Sequence, residues 1–198
     1  MPRGVARDHS EKRAAIRKGA AAYFAAHGYD RASMTGAAKH CGVSKALIYH
    51  YYDSKEALLF DILDSHLTTL VETVEVVETG PDYLRRLIHA ILQNYRNADA
   101  EHKLQGDALE TLPDTLRKPL LVLQRRLVEI MGKALQQASP ETLTNSTRLR
   151  PVTMTVFGML NWFYMWHRPG KGLSREEYAD LVTDMVLNGV KGLPDHEG

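Results

Sequence analysis

Apolar residues recur along this chain at helical spacing and are broken up by glycine and proline. Ile16, Ala20, Tyr23 and Phe24 set a first helix from about Ser10 to His27, with Arg13, Arg17 and Lys18 on other faces. Gly28 suits the left-handed turn after it, and Tyr29 can fold back on Phe24, as in a Schellman ending. Ser33 predicts the cap of a short second helix reaching about His40. Cys41-Gly42-Val43-Ser44 turns the chain, Gly42 supplying positive φ and Ser44 the next cap, and a third short helix covers about Lys45 to Tyr51. Asp53 with Glu56 predicts a capping box opening a fourth helix. Two helices of seven or eight residues around a glycine turn describe a helix-turn-helix.

Beyond Asp53 the pattern stays helical. Leu58, Leu59, Ile62, Leu63, Leu67 and Leu70 carry the fourth helix toward Val77, where Gly80-Pro81 ends it. Pro81 is expected at the first position of the next, whose stripe is Leu84, Leu87, Ile88, Ile91, Leu92 and Tyr95. A helix spans about Ala100 to Thr111. Pro113 and Pro119 predict a break before a long helix through Leu121, Leu127, Ile130, Met131 and Leu135. A connector from Pro140 to Asn145 leads to an apolar, aromatic segment from about Thr147 to His167, and Ser174 with Glu177 boxes the start of a last helix through Leu181, Val182, Met185, Val186 and Val190. No strand pattern of useful length and no repeat occurs. The fold class expected is all-α: an N-terminal three-helix helix-turn-helix domain, residues 1–53, followed by a helical effector-binding and dimerisation domain, residues 54–198.

Length and composition narrow the class. The 198 residues, 44% hydrophobic, can bury a real core and are too apolar for a disordered chain. No stretch spans a bilayer, the basic N-terminus lacks the apolar core of a secretory signal, and Cys41 as the single cysteine excludes an internal disulfide framework. A cytoplasmic protein without a membrane partner is expected. The net charge of +1 hides an asymmetry: residues 1–55 hold ten Lys and Arg against four acids, a net +6, leaving −5 on the rest. A basic head on a mildly acidic body suits a polyanion at the head, although a solvated basic helix would look the same.

The third helix fits the reading helix of a helix-turn-helix. Ile48 and Tyr52, four apart, can pack inward with Val43, leaving Lys45, Ala46, Tyr49 and His50 outward. Lys45 and His50 offer donors to phosphates or base acceptors, Ala46 admits a thymine methyl, and Tyr49 adds a hydroxyl to an apolar ring. Ser33 and Thr35 open the second helix and Ser44 the third, and Lys55 lies in the first turn of the fourth, where free N–H groups and the helix dipole favour phosphate. The plain alternative makes Tyr49, Tyr51 and Tyr52 core aromatics.

These residues resemble the N-terminal domain of TetR-family transcriptional repressors. The resemblance runs from Ile16 to Leu59 through Ala20, Phe24, Gly28-Tyr29, Ala38 and the stretch GVSKALIYHYYDSKEAL. It implies a homodimer on double-stranded operator DNA, with Tyr49, His50 and Lys55 at common DNA-contact positions and Ser33 and Thr35 near phosphate contacts. Two departures stand out: Ala37 replaces a larger aliphatic residue, and Gly36 lies inside the second helix at a cost of about 0.5–1 kcal/mol relative to Ala.

A second resemblance covers about 20 residues, from Phe157-Gly158-Met159 through Asn161-Trp162, Trp166 and Arg168-Pro169-Gly170 to Leu173-Ser174 and Glu177. It is similar to a TetR subgroup that controls fatty-acid, phenylacetate or steroid-ring degradation and responds to acyl-coenzyme A thioesters, which implies an acyl-CoA effector. In the residues themselves, Asn161 on so apolar a helix needs a hydrogen-bond partner, from a ligand or across a dimer interface. Trp162 and Trp166 share a face that can floor an apolar tunnel, and Arg168 can meet a phosphate. Equally, the aromatic stripe suits a core or dimer interface, and Arg168 a surface charge.

Other readings have less to rest on. His66, His89 and His102 on three helices could converge on a metal, but no ligand motif accompanies them, and no metal or cofactor is expected. Cys41 reads as a small buried residue, and Glu72, Glu75 and Glu78 as a solvated face. A TetR-type repressor of another small apolar ligand, in efflux or detoxification control, is one alternative. A helical enzyme acting on acyl-CoA is another, though no phosphate loop, GxSxG or acid–base constellation is found. A nonspecific architectural DNA binder would lack the roughly 10³-fold or greater site preference of a repressor.

Overall fold

Among the described residues, every element except one short 3₁₀ turn is an α-helix. The structure, a computed structural model, describes residues 3–144, 146–168 and 170–193, without the side chains of residues 3–7. Arg3 and Arg7 of the basic head therefore lie outside the described side chains, and Asn145 and Pro169 outside the described residues. The helices are α1 (Arg3–His27), α2 (Met34–His40), α3 (Lys45–Tyr51), α4 (Lys55–Glu75), α5 (Tyr83–Asn94), α6 (Asp99–Ala108), α7 (Asp114–Ala138), α8 (Pro140–Leu143), α9 (Leu149–Trp166) and α10 (Arg175–Lys191), with the 3₁₀ turn Leu109–Thr111 after α6. Among the described residues there is no strand, only an isolated bridge between Arg168 and Lys171. No described helix is long and apolar enough to cross a membrane.

The chain divides into two compact units. One comprises residues 1–68 with 97–121, the other 69–96 with 122–198. In the first, α1 packs on α2 and α6, and α2 on α3. Ile16, Ala20, Phe24, Ala37, Ile48, Leu58, Leu59, Ile62 and Leu63 are fully or nearly fully buried there. In the second, α10 packs along α5, and α9 against both. Its buried residues include Leu87, Ile88, Leu92, Met131, Ala134, Val156, Leu160, Phe163 and Val182.

The local grammar of the first unit follows the residue pattern closely. Gly28 takes φ +80, and the Tyr29 ring meets Phe24 edge-on at 5.5 Å. Ser33 Oγ accepts from Gly36 N at 3.1 Å and Ser44 Oγ from Leu47 N at 3.1 Å, while Gly42 takes φ +68 between the two helices. Ser174 and Glu177 form the reciprocal box at the start of α10.

Four boundaries differ from expectation. α1 begins near Arg3, about two turns before Ser10. The cap of α4 is Ser54, whose Oγ accepts from Ala57 N at 3.0 Å; Asp53 next to it is an equally good cap residue by type. Asp82 adopts the left-handed conformation (φ 60), so α5 starts at Tyr83, two residues after Pro81. Pro119 does not break the chain but lies inside α7. It falls in the second turn on an exposed face, so the Thr115 carbonyl that loses its helical donor is left beside solvent.

Candidate nucleic-acid interface and effector region

α3 presents two chemically distinct faces. Ile48 is fully buried and Tyr52 nearly so, which anchors the helix. Lys45, Ala46, Tyr49 and His50 are all exposed, as are Ser33, Thr35 and Ser44. Lys45 Nζ stands 5.9 Å from the centre of the Tyr49 ring, a cation–π contact that keeps the ammonium on the outer face. Ser33 and Ser44 accept as caps, which fixes the helix starts and leaves each hydroxyl proton to donate to an anion.

Lys55 is placed differently from the other seven. Its ammonium donates to the Tyr29 carbonyl at 3.0 Å and the Ala32 carbonyl at 3.2 Å, approaches that of Asp30 at 3.5 Å, and lies 4.3 Å over the Tyr29 ring. It thus ties the start of α4 to the loop between α1 and α2. Arg13 is also engaged: its guanidinium grips Asp61 by Nε (3.2 Å) and Nη2 (2.9 Å), and the Tyr52 hydroxyl donates to the same carboxylate at 2.6 Å. Arg17 lies 3.5 Å from Asp61. Part of the N-terminal basic excess is therefore neutralised by a carboxylate just beyond it in sequence.

Of the two departures, the glycine inside the second helix acquires a reason. A Cβ on Gly36 would stand 2.0 Å from the Tyr23 hydroxyl, so only glycine fits there. A Cβ on Gly19 would fall 2.7 Å from Cys41 Sγ. Cys41 itself is half-buried, its thiol directed at the Ile16 carbonyl at 3.5 Å, and burial pushes the thiol pKa up, away from the reactive thiolate. A contact at the N-terminal end of α1 also escaped the sequence reading. His9, on the early part of α1, packs on Tyr51 in a tilted arrangement at 4.6 Å and lies 6.4 Å from His50. No periodicity links residue 9 to residue 51.

In the second unit Asn161 finds its partner within the chain: its Oδ1 accepts from the buried Tyr95 hydroxyl at 2.9 Å. Tyr95 had been legible only as a member of an apolar stripe. Trp162 is 61% exposed and Trp166 47% exposed. Trp166 joins an aromatic cluster with Phe163 (5.2 Å) and Tyr178 (5.2 Å), while His167 and Tyr178 stack on Phe163. The Arg168 guanidinium donates to the His167 carbonyl at 2.9 Å. The four residues thus lie along the end of α9 and just beyond it, and none of them lines either of two cavities found in this unit. One of about 230 Å³ is bounded by Pro81, Tyr83, Arg85, Ala134 and Thr183, the other of about 310 Å³ by Val152, Val156, Met159, Met185, Val186 and Val190.

The histidines read as a possible metal set separate. His66 and His102, both buried, meet edge to face at 6.0 Å. His89 instead pairs with Asp180 at 2.9 Å, where Arg85 also binds at 2.6 Å. Hydrogen bonds from His89 and then Arg85 hold the Asp180 carboxyl below its usual pKa. Among the described residues, no group of three or more His, Cys, Asp or Glu is arranged to hold a metal ion.

Comparison with known proteins places these features. Residues 16–62 match the family described as bacterial regulatory proteins, tetR family, and residues 78–190 that described as tetracyclin repressor-like, C-terminal domain. A TetR-family transcriptional regulator from Bordetella parapertussis 12822 is 33% identical, covers 93% of this chain and 98% of its own, and superposes with a TM-score of 0.84. The HTH-type transcriptional repressor KstR2 of Rhodococcus jostii is 23% identical over 177 residues, 86% of this chain and 87% of that protein. AibR, solved in complex with isovaleryl coenzyme A and operator DNA, has the same fold at 24% identity and a TM-score of 0.71, covering 88% of this chain and 97% of its own.

Proposed function

Because this chain belongs to the TetR family of bacterial regulatory proteins, and is therefore a transcriptional regulator and not an enzyme, we propose that it is a homodimeric repressor. In this reading residues 1–53 form the reading head, residues 54–198 the effector-binding and dimerisation body, and an acyl-coenzyme A thioester releases the protein from a pseudo-palindromic operator. The observation that carries it is the division of α3, with Ile48 and Tyr52 anchored and Lys45, Ala46, Tyr49 and His50 displayed. Such a helix delivers donors and a small apolar contact to the major groove, and a two-fold dimer brings a second copy to the next groove about 34–36 Å away. Ser33, Thr35 and Ser44 position the helix starts against the backbone.

Support for the dimer comes from α9 and α10, which leave Met154, Trp162, Met165, Leu181 and Met185 exposed. An apolar set of this kind on two helices of one unit is what a second copy of the same face buries. Support for the effector class comes from the segment 157–177 and from AibR, a protein of the same fold that binds isovaleryl coenzyme A. The Asn161 amide, held by Tyr95 through its oxygen, keeps its N–H donors for a ligand carbonyl. The effector lowers DNA affinity only by the ratio of its affinities for two conformers, and DNA lowers effector affinity by the same ratio. A repressor of another small apolar ligand is the second reading, favoured by the apolar lining of the cavity beside Val152, Val156 and Met159.

The deciding experiment is fluorescence anisotropy of the full chain on its own upstream DNA, with scrambled DNA as control. It is repeated with phenylacetyl-CoA, a long-chain acyl-CoA, a steroid-ring CoA ester and free CoA. Specific binding abolished by one thioester and not by CoA is the expected result. Specific binding untouched by every thioester removes the acyl-CoA reading and leaves the repressor. Equal affinity for scrambled DNA removes the repressor.

A further inference from the structure

We infer that His9 is an additional nucleic-acid contact, paired with His50 across the Tyr51 ring to bind one backbone phosphodiester in the protonated state. The inference rests on α3 being the reading helix. His50 lies on its displayed face, and the exposed His9 of α1 stands beside it. Tyr51 touches both imidazoles: His9 packs on it, tilted, at 4.6 Å with 37° between the ring planes, and His50 meets it edge-on at 5.5 Å. The two imidazoles are themselves 6.4 Å apart, both exposed, and neither has a hydrogen-bond partner among the described residues. That spacing suits a phosphodiester, whose two unesterified oxygens each accept one N–H.

The electrostatic surroundings favour an anion from the side of α3. That helix contributes His50, Lys45, Tyr49 and Tyr51 and no carboxylate. On α1, Asp8 and Glu11 flank His9, together with Lys12 and Arg13. Arg13 is committed to Asp61 of α4, where the Tyr52 hydroxyl also donates, so this cation and this carboxylate cancel locally. A protonated imidazole adds a charge and a second N–H donor to the interface. DNA binding by such a pair takes up protons, so affinity falls as pH rises from 6 to 8.

The test is anisotropy of the full chain on fluorescent duplexes, one from its own upstream DNA and one scrambled, at fixed ionic strength between pH 6 and pH 8. For the wild-type protein, Kd on both duplexes is expected to rise about tenfold over that range, since a phosphate contact is indifferent to sequence. His9→Gln weakens binding at pH 6 and removes much of the pH dependence. His9→Lys, permanently charged, binds more tightly at pH 8 than the wild type does at that pH. A pH-independent wild type, or a His9→Gln profile that parallels it, overturns the inference. Loss of preference for the upstream duplex, with the His9-dependent pH profile intact, overturns α3 as a sequence reader and upholds the phosphate contact. Absence of any DNA binding overturns both.

Discussion

The Tyr23 hydroxyl occupies the place where a side chain on Gly36 would begin: a Cβ there would lie 2.0 Å from the oxygen and 2.6 Å from the ring carbon that bears it. Tyr23 is in turn packed between His27 at 4.4 Å and His40 at 5.8 Å, so its ring has little freedom to withdraw. Gly36→Ala is therefore expected to destabilise the protein by about 1–3 kcal/mol through overpacking, despite the helix preference of about 0.5–1 kcal/mol for Ala over Gly. Urea denaturation measures the difference. In a Tyr23→Ala background the same substitution becomes neutral or stabilising.

Lys55 and Tyr49 separate stability from DNA binding. With two backbone carbonyls at 3.0 and 3.2 Å and an aromatic face beneath it, the Lys55 ammonium holds α4 to the preceding loop. Lys55→Met should lower stability by about 1.5–3 kcal/mol, the range for hydrogen bonds to charged groups. Tyr49 is 42% exposed and outward, so Tyr49→Ala should leave the urea midpoint unchanged and weaken binding to the upstream duplex. A Lys55→Met protein of normal stability would return Lys55 to the role of a phosphate contact.

His66 makes stability depend on pH. Burial, and then the neighbouring His102, lower its pKa from 6.5 to about 4. The unfolded chain therefore binds a proton that the folded chain rejects between those values, and the stability present above about pH 6.5 is lost as pH falls toward 4. The full effect is about 3 kcal/mol at 1.36 kcal/mol per pH unit. Urea midpoints at pH 7 and pH 5 should differ in the wild type and converge in His66→Gln.

The exposed tryptophan on α9 reports on assembly. If Trp162 is buried by a second copy of α9 and α10, then Trp162→Glu places a charge in that contact and should raise the dimer dissociation constant by at least about 30-fold, a loss of 2 kcal/mol. Sedimentation at micromolar concentration reads this directly. Unchanged dimerisation would move the interface off this part of α9.

The sequence carried the helices and their caps almost unaided, because those are local. Ser33, Ser44, Ser174 with Glu177, and Gly28 and Gly42 act within three or four residues of themselves, and their pattern alone places α2, α3 and the start of α10. The displayed face of α3 was equally legible, since alternation between buried Ile48 and Tyr52 and exposed Tyr49 follows from helical geometry. The errors were also local in kind: a cap displaced from Asp53 to Ser54, and a proline tolerated where solvent lies beside the freed carbonyl. Contacts between elements far apart in the chain were another matter. Tyr95 meeting Asn161, Lys55 reaching the carbonyls of the Tyr29 loop, Arg13 turned to Asp61, and His9 laid on Tyr51 leave no periodic trace. Each depends on where packing brings two helices together, and that decides which polar side chains are spent within the fold and which remain for a partner.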